Sequence, residues 1–384
     1  MNVLLKDYHS ISRIGIVIKD ADFAGWDPIL SRKHECFVLT PNHISFTSDG
    51  YSVAIDGEFA QRSCGSLNTG DIVIINEAGL LSQIYDCHGD EASVYLTGHC
   101  NSNCVMCPSS DAERRNYTGM TDDWMLEYLS LLPEDVGHIV VTGGEPTLNT
   151  AQFFLVMAQL AAKYPDTEVL LLTNGRSFAS VDMANELTAC CPLNLKVAIP
   201  IHGNNAELHD LITQASGSFE QSLAGIEHLQ NRGIRIELRV VVSQLNVNVL
   251  STISELIVSR FSKVDVVNFV GLEARGNCAK NYSEVYIDHR VAFAYIKPAV
   301  DNLISHGIAV GIYNFPLCAI DKGYWTICRS SISQPKIRFT ADCSDCEAKS
   351  ICGGFFATTL SLAKPKVFPV HFFDTPEAAD EKSL

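Results

Sequence analysis

The chain has 384 residues, a formal net charge of −16, 47% hydrophobic residues and 19% charged residues. That length suits one large α/β domain with smaller additions, and the apolar content excludes a mainly disordered chain. Without a clustered run of Lys and Arg to track a phosphate backbone, nucleic acid is not an expected partner.

Taken in chain order, residues 1–90 show short β-prone runs at 36–40, 44–47, 51–55 and 71–75, broken by turn residues at Asp56-Gly57 and Asn68–Gly70. A small β-rich domain is expected there. Residues 1–10 carry no apolar run behind a basic start, and no run reaches bilayer length, so a soluble cytoplasmic protein without membrane partners is expected. From 91 to 313, apolar runs at 93–97, 138–142, 168–173, 195–200, 234–242 and 264–270 alternate with amphipathic ones at 122–132, 151–164, 181–189, 219–232 and 249–261. Thr121 suits the N-cap of the first of these helices. The alternation predicts a parallel sheet, either a partial barrel or a doubly wound open sheet. Residues 314–362 are cysteine-rich with weak periodicity and fit a small metal-held fold; 363–384 read as a loosely attached tail.

Fourteen cysteines are many for a reducing compartment, where clustered thiols serve metals or catalysis rather than disulfides. Cys36, Cys64, Cys87, Cys190, Cys191 and Cys278 are scattered and read as small buried hydrophobes. Cys100, Cys104 and Cys107 are spaced C-x3-C-x2-C directly after the strand predicted at 93–97. Three thiolates on one loop can each take a different iron of a [4Fe–4S] cubane. With no fourth cysteine nearby, one iron keeps an open position for a small chelating molecule. The competing reading is a structural zinc completed by His99 or a distant residue.

The next strand ends in Gly143-Gly144-Glu145-Pro146. Two glycines let a backbone approach a ligand closely, Glu145 adds an acceptor and Pro146 stiffens the exit. Together, C-x3-C-x2-C and Gly-Gly-Glu-Pro resemble the radical S-adenosylmethionine (SAM) superfamily. The resemblance implies a partial (β/α)6 barrel. It also implies that the open iron binds the amino and carboxylate groups of SAM, and that Gly143–Pro146 meet the methionyl amine. The position before the third cysteine, often aromatic, is Met106 here. In the same resemblance, Asn174 would meet the ribose, Arg239 the SAM carboxylate, and Gly271-Leu272-Glu273 the adenine. Each has a plainer alternative: a turn asparagine, an outward strand arginine, an ordinary loop. His209 and Asp210 would shape a pocket or cap a helix, with the cap favoured.

Near the C-terminus, Cys343, Cys346 and Cys352 are spaced C-x2-C-x5-C and followed by Gly353-Gly354, with Cys318 upstream. Four thiolates would close a metal site completely, as a second auxiliary [4Fe–4S] cluster or as zinc; Cys328 could stand in for Cys318. The layout resembles the shortened auxiliary-cluster ("twitch" or SPASM-like) domains of peptide-modifying radical SAM enzymes. On Asn68-Thr69-Gly70-Asp71-Ile72-Val73, Cys100–Cys107, Gly271-Leu272-Glu273 and Cys352-Gly353-Gly354-Phe355-Phe356 together, the chain is similar to His-Xaa-Ser system maturases of the HxsC type. That resemblance implies a ribosomally made precursor peptide as substrate, a sister radical SAM protein as partner and an electron donor. Other radical SAM maturases (thioether-forming or sulfatase-maturing) and a non-catalytic cluster-bearing scaffold are the alternatives.

Overall fold

The computed structural model describes residues 2–5, 8, 11–23, 34–117 and 119–371. It divides into two compact units: residues 1–97, 118–171 and 189–195, and residues 98–117, 172–188 and 196–384.

The first unit opens with a seven-stranded sheet: β1 (Asn2–Leu4), β2 (Arg13–Lys19), β3 (Cys36–Leu39), β4 (His43–Phe46), β5 (Ser52–Ala54), β6 (Ile72–Ile75) and β7 (Leu80–Tyr85). Their order is β1-β7-β6-β2-β3-β4-β5, with only β2 and β3 parallel. The four expected strands are there, three trimmed by a residue or two and β4 shifted one residue earlier. The sheet buries a core around Val17, Phe37, Ile44, Phe46 and Ile75. Central β2 was not expected, although an apolar run, Ile14–Ile18, follows Arg13 directly. Its buried guanidinium is accommodated by Glu35 at 3.1 Å and Asp49 at 2.5 Å. Asn68–Asp71 make a turn, with Gly70 at φ 99° and the fully buried Asp71 carboxylate accepting from Asn68 N, Gln83 Nε2 and Cys87 N. A structural need therefore accounts for that motif.

Strands β8 (Glu91–Tyr95), β9 (His138–Thr142) and β10 (Glu168–Leu172) follow in the same unit, parallel and in chain order. Helices Asp122–Leu131 and Thr150–Lys163 lie between them, and Thr121 is the expected cap, accepting from Trp124 N.

The second unit continues the strand–helix alternation with β11 (Leu195–Pro200), β12 (Arg235–Val241), β13 (Val266–Val270), β14 (Ala309–Tyr313) and β15 (Cys328–Arg329), again parallel and in chain order. Consecutive parallel strands with helical crossovers are the layout of a partial (β/α) barrel rather than of a doubly wound sheet, whose order reverses. β14 and β15 were not expected. Helix Asp288-capped His289–Ser305, which precedes β14, contains Pro298 and hides the periodicity. The cysteine-rich segment also holds a two-stranded ladder, β16 (Ile337–Arg338) with β17 (Phe355–Phe356). Of the expected tail, residues to 371 are tied down: Glu347 N donates to Val370 O, and Arg290 sits over Phe368. Residues 372–384 lie outside the described residues.

Among the scattered cysteines, Cys36, Cys64 and Cys278 are buried, whereas Cys87, Cys190 and Cys191 are partly exposed. The helix Ser218–Gln230 begins at Gly217, which has no side chain to cap it. Asp210 supplies the cap, accepting from Gly217 N at 2.6 Å, Ser218 Oγ at 2.8 Å and Phe219 N at 2.9 Å. The structural reading of Asp210 therefore holds. Asp210→Ala is expected to lower stability by about 1–2 kcal/mol, as loss of an N-cap does. A urea midpoint equal to wild type would refute this.

Candidate functional site

In the first unit, the Gly143–Pro146 turn closes on the end of β8. Gly144 N donates to Thr97 O at 2.6 Å, and a Cβ on Gly143 would stand 2.5 Å from the same oxygen, so glycine is required there. The Glu145 carboxylate, expected to face a ligand, is fully buried and accepts from Thr147 N at 3.2 Å and Thr147 Oγ1 at 2.7 Å. Pro146 starts the 3-10 turn that follows.

In the second unit, the loop carrying Cys100, Cys104 and Cys107 is fixed along its length. Asn103 N and Val105 N donate to Thr213 O and Ile212 O, at the end of helix Ala206–Thr213. Asn277 N donates to Cys107 O at 2.9 Å, and its Nδ2 reaches Cys104 O and Asn103 Oδ1, each at 3.0 Å. Asn281 Nδ2 donates to Val105 O at 2.9 Å. These asparagines lie some 170 positions from the cysteines, so no local motif announces them. The loop therefore presents its thiols from a preset backbone, as a metal site requires.

Burial pushes the Cys104 thiol up to about 12, with the neighbouring Cys107 and Cys100 adding to it. A buried thiol that resists ionisation without a cation is a donor suited to iron, which displaces its proton. Ser102 N points at Cys100 Sγ at 3.4 Å. Three thiols carried by one backbone-fixed loop fit an iron–sulfur group, which takes each thiolate at a different iron.

Residues 94–248, which contain C-x3-C-x2-C and Gly-Gly-Glu-Pro, match the radical SAM superfamily. This segment is a radical SAM domain. The chain is 29% identical over 163 residues to an AdoMet-dependent heme synthase of Methanosarcina barkeri, covering 42% of this chain and 45% of that one. It is 28% identical over 164 residues to the mycofactocin maturase MftC of Mycolicibacterium smegmatis, covering 42% and 40%. The chain thus spans less than half the length of these curated relatives. The Streptococcus suis SuiB structure bound to its precursor peptide SuiA superposes with a TM-score of 0.46 at 12% identity, over 58% of this chain and 48% of that one.

Within the second unit, part of the radical SAM domain borders a cavity of ≈ 380 Å³. Cys104, Cys107, Val241 and Leu272 line it, and so do Ser331, Lys336 and Phe356 from the cysteine-rich segment. Arg239 lies two residues before Val241 on β12, on the same face of the strand. Its Nε donates to the buried Glu237 carboxylate at 2.6 Å. Leu272 and Met106 belong to one buried apolar cluster with Ile212 and Cys278. Asn174 Nδ2 donates to Asn101 Oδ1 at 2.6 Å on the cysteine loop, while its Oδ1 accepts from Arg176 N, so it serves as turn residue and loop anchor at once.

Sequence reasoning passed over His202. It is buried, lines the cavity, and its Nδ1 has no hydrogen-bond partner. Its backbone N donates to His209 Nδ1 at 3.2 Å, and the two rings sit 5.4 Å apart. Burial lowers the imidazoles of His202 to about 3 and His209 to about 4. Both are neutral when folded, while the unfolded imidazoles take a proton below 6.5. Stability should therefore fall as pH drops below 6.5, by about 1.4 kcal/mol per unit for each histidine until its folded pKa is approached. Urea unfolding of His202→Gln should show a shallower loss between pH 6 and pH 5 than wild type; equal slopes would disprove the assignment.

The cysteine-rich segment brings Cys318, Cys343, Cys346 and Cys352 around one small space that Cys328 does not line. Cys328 instead belongs to β15, with its thiol toward Tyr324 O. Backbone N–H groups point at the sulfurs: Leu317 N and Gly354 N at Cys352 Sγ, Val370 N at Cys346 Sγ, each at 3.4 Å. Such donors stabilise thiolates and tune iron–sulfur groups. Gly354 reaches its bond at φ 66°, and a Cβ on Gly353 would meet Ser330 at 2.8 Å, which explains the Gly-Gly pair after Cys352.

Proposed function

We propose that this chain is a radical SAM peptide maturase. Cys100, Cys104 and Cys107 hold a [4Fe–4S] cluster with one open iron, and Cys318, Cys343, Cys346 and Cys352 hold a closed auxiliary one. When bound, the open cluster supplies one-electron cleavage of SAM to methionine and a 5′-deoxyadenosyl radical, the species that takes hydrogen from carbon. The chain's own residues do the placing. Gly143 and Gly144 offer backbone to the methionyl amine, and Arg239 offers its guanidinium to the carboxylate, with Glu237 orienting it. Leu272 and Met106 form an apolar seat for adenine. His202, kept neutral, offers an uncharged ring nitrogen to whatever enters beside it.

The observation that carries the reading is the shared cavity. Thiols of the open site and residues of the cysteine-rich segment line one space, so a substrate held by that segment would lie beside the open iron. The cavity has few cations. Lys336 is paired with Glu273 at 3.1 Å, which disfavours a substrate with many carboxylates, such as a tetrapyrrole, and favours an uncharged peptide stretch. The resemblance to HxsC-type maturases then suggests a His-Xaa-Ser precursor with a sister radical SAM protein as partner. The N–H···S contacts to Cys346 and Cys352 are of the kind that an iron–sulfur group in the auxiliary site would use.

The test is anaerobic reconstitution with iron and sulfide, followed by reduction in the presence of SAM. 5′-Deoxyadenosine is measured by chromatography, and a co-expressed His-Xaa-Ser peptide by mass spectrometry. A mass change that depends on the chain supports the proposal. 5′-Deoxyadenosine formation without any peptide change would leave the radical SAM reading and reject this substrate.

A further inference from the structure

Although the chain is acidic overall, with a net charge of −16, the solvent side of the cysteine loop is not. Helix Asp111–Asn116 starts with a capping box between Ser110 and Glu113. It sets Arg114 and Arg115 against a second cavity, of ≈ 420 Å³, lined also by His99, Cys100, Ser102 and Lys280. This cavity is polar and shares no lining residue with the one at Cys104 and Cys107. The open site therefore has two faces: an apolar one for substrate and a cationic one at Cys100.

The charge balance of the second face is explicit. Asp111 pairs with Arg114 at 2.7 Å, Arg115 at 3.0 Å and Lys280 at 2.6 Å, and Glu113 pairs with Arg275. Four cations meet two carboxylates. Lys280 first, then Arg114, holds the Asp111 carboxyl down at about 2, so it stays ionised and still leaves a positive surplus. Arg176, in the 3-10 turn 176–179, adds another guanidinium against the same loop, and its described hydrogen bonds go to neutral groups: Asn101 O, Ser102 Oγ and Gln221 Oε1. Arg115 and Lys280 project outward, with side chains 76% and 54% exposed. Their pairing with a single exposed carboxylate contributes little to folding.

Resting on the radical SAM reading above, we infer that this cationic face docks an acidic one-electron carrier protein that reduces the cluster from the Cys100 side. Each SAM cleavage breaks one C–S bond and consumes one electron, so the carrier must be oxidised by one electron per event and then exchanged. Turnover of that kind suits a salt-sensitive, charge-steered encounter rather than a tight apolar interface. Electron entry at Cys100 also leaves the residues that line the substrate cavity untouched while the carrier comes and goes.

The test uses the double variant Arg115→Glu/Lys280→Glu in the reconstituted full chain. Two carriers serve as probes, a flavodoxin and a [2Fe–2S] ferredoxin, with reduced methyl viologen as a small cationic reductant. Carrier binding is measured directly by interferometry at low and high salt, with no need for turnover. The expected result is carrier binding weakened about tenfold or more at low salt, with the wild-type salt dependence largely lost. 5′-Deoxyadenosine formation should fall in parallel when the carrier supplies electrons and stay at wild-type level with methyl viologen. Unchanged binding of both carriers would overturn the inference, and so would an equal loss with methyl viologen. A wild type that binds carrier at this face but never cleaves SAM would instead reject the proposed activity while leaving the docking face standing.

Discussion

Cys104→Ala should abolish 5′-deoxyadenosine formation, a loss of at least a thousandfold, while the circular dichroism of the protein stays that of wild type. Cys104 sits in a buried setting that raises its thiol, and Asn277 Nδ2 holds its carbonyl at 3.0 Å. A cubane with only Cys100 and Cys107 left has two irons without a protein ligand and is lost to solvent. The fold should survive because the barrel core is built elsewhere, from side chains such as Val197, Leu238, Val267 and Ile312, all fully buried. The iron content and the 410-nm region absorbance of the reconstituted variant report the cluster independently of activity. Persisting SAM cleavage in Cys104→Ala would remove the basis for the proposed function.

Cys346→Ala should separate two activities: modified peptide falls by at least tenfold, and SAM cleavage by no more than about twofold to threefold. Iron should drop from about eight per chain toward about four, since each cubane holds four. The asymmetry follows from ligation. In the proposed auxiliary cluster, four thiolates would leave no iron open, so that site would not bind SAM. It can accept an electron from a product radical, and it ties the segment that lines the substrate cavity. Val370 N donates to Cys346 Sγ at 3.4 Å and Glu347 N to Val370 O at 3.0 Å, so losing this thiol also loosens residues near 370. Measuring 5′-deoxyadenosine and peptide side by side decides the matter. Equal losses would make the C-terminal site a brace for the fold, and undiminished peptide modification would make it dispensable.

The parts of this protein that were readable from sequence are those encoded locally. C-x3-C-x2-C and Gly-Gly-Glu-Pro declare themselves within a few residues, because one loop or one turn has to present them. Strands such as β9 and β11 match their apolar runs to the residue. The cap at Thr121 and the structural duty of Asp210 were legible for the same reason. What was missed depends on distant partners. Asn277 and Asn281 secure a loop far away in sequence, and His202 gains its character only from burial beside His209. The burial of Arg13 at the start of β2 makes sense only once Glu35 and Asp49 are beside it. One miss had a local signal: Ser110-Asp111-Ala112-Glu113 is a capping-box sequence, and it marks the helix that carries Arg114 and Arg115.

β15 has a practical bearing on where this chain can be cut. The cysteine-rich segment does not simply follow the parallel sheet; it supplies the sheet's last strand, with Ile312 facing Cys328 and Tyr313 facing Arg329. Asn314 fastens the junction at φ 63°, exchanging hydrogen bonds with Ser331 at 2.9 Å and 3.0 Å. A truncation after Tyr313, the boundary that composition suggests, would strip β14 of its neighbour and present a bare apolar strand edge. Such a fragment would aggregate on expression, whereas one ending a few residues past Ser331 would keep its rim sealed and stay monodisperse. Limited proteolysis should likewise spare the link from 314 to 331 and nick beyond it first.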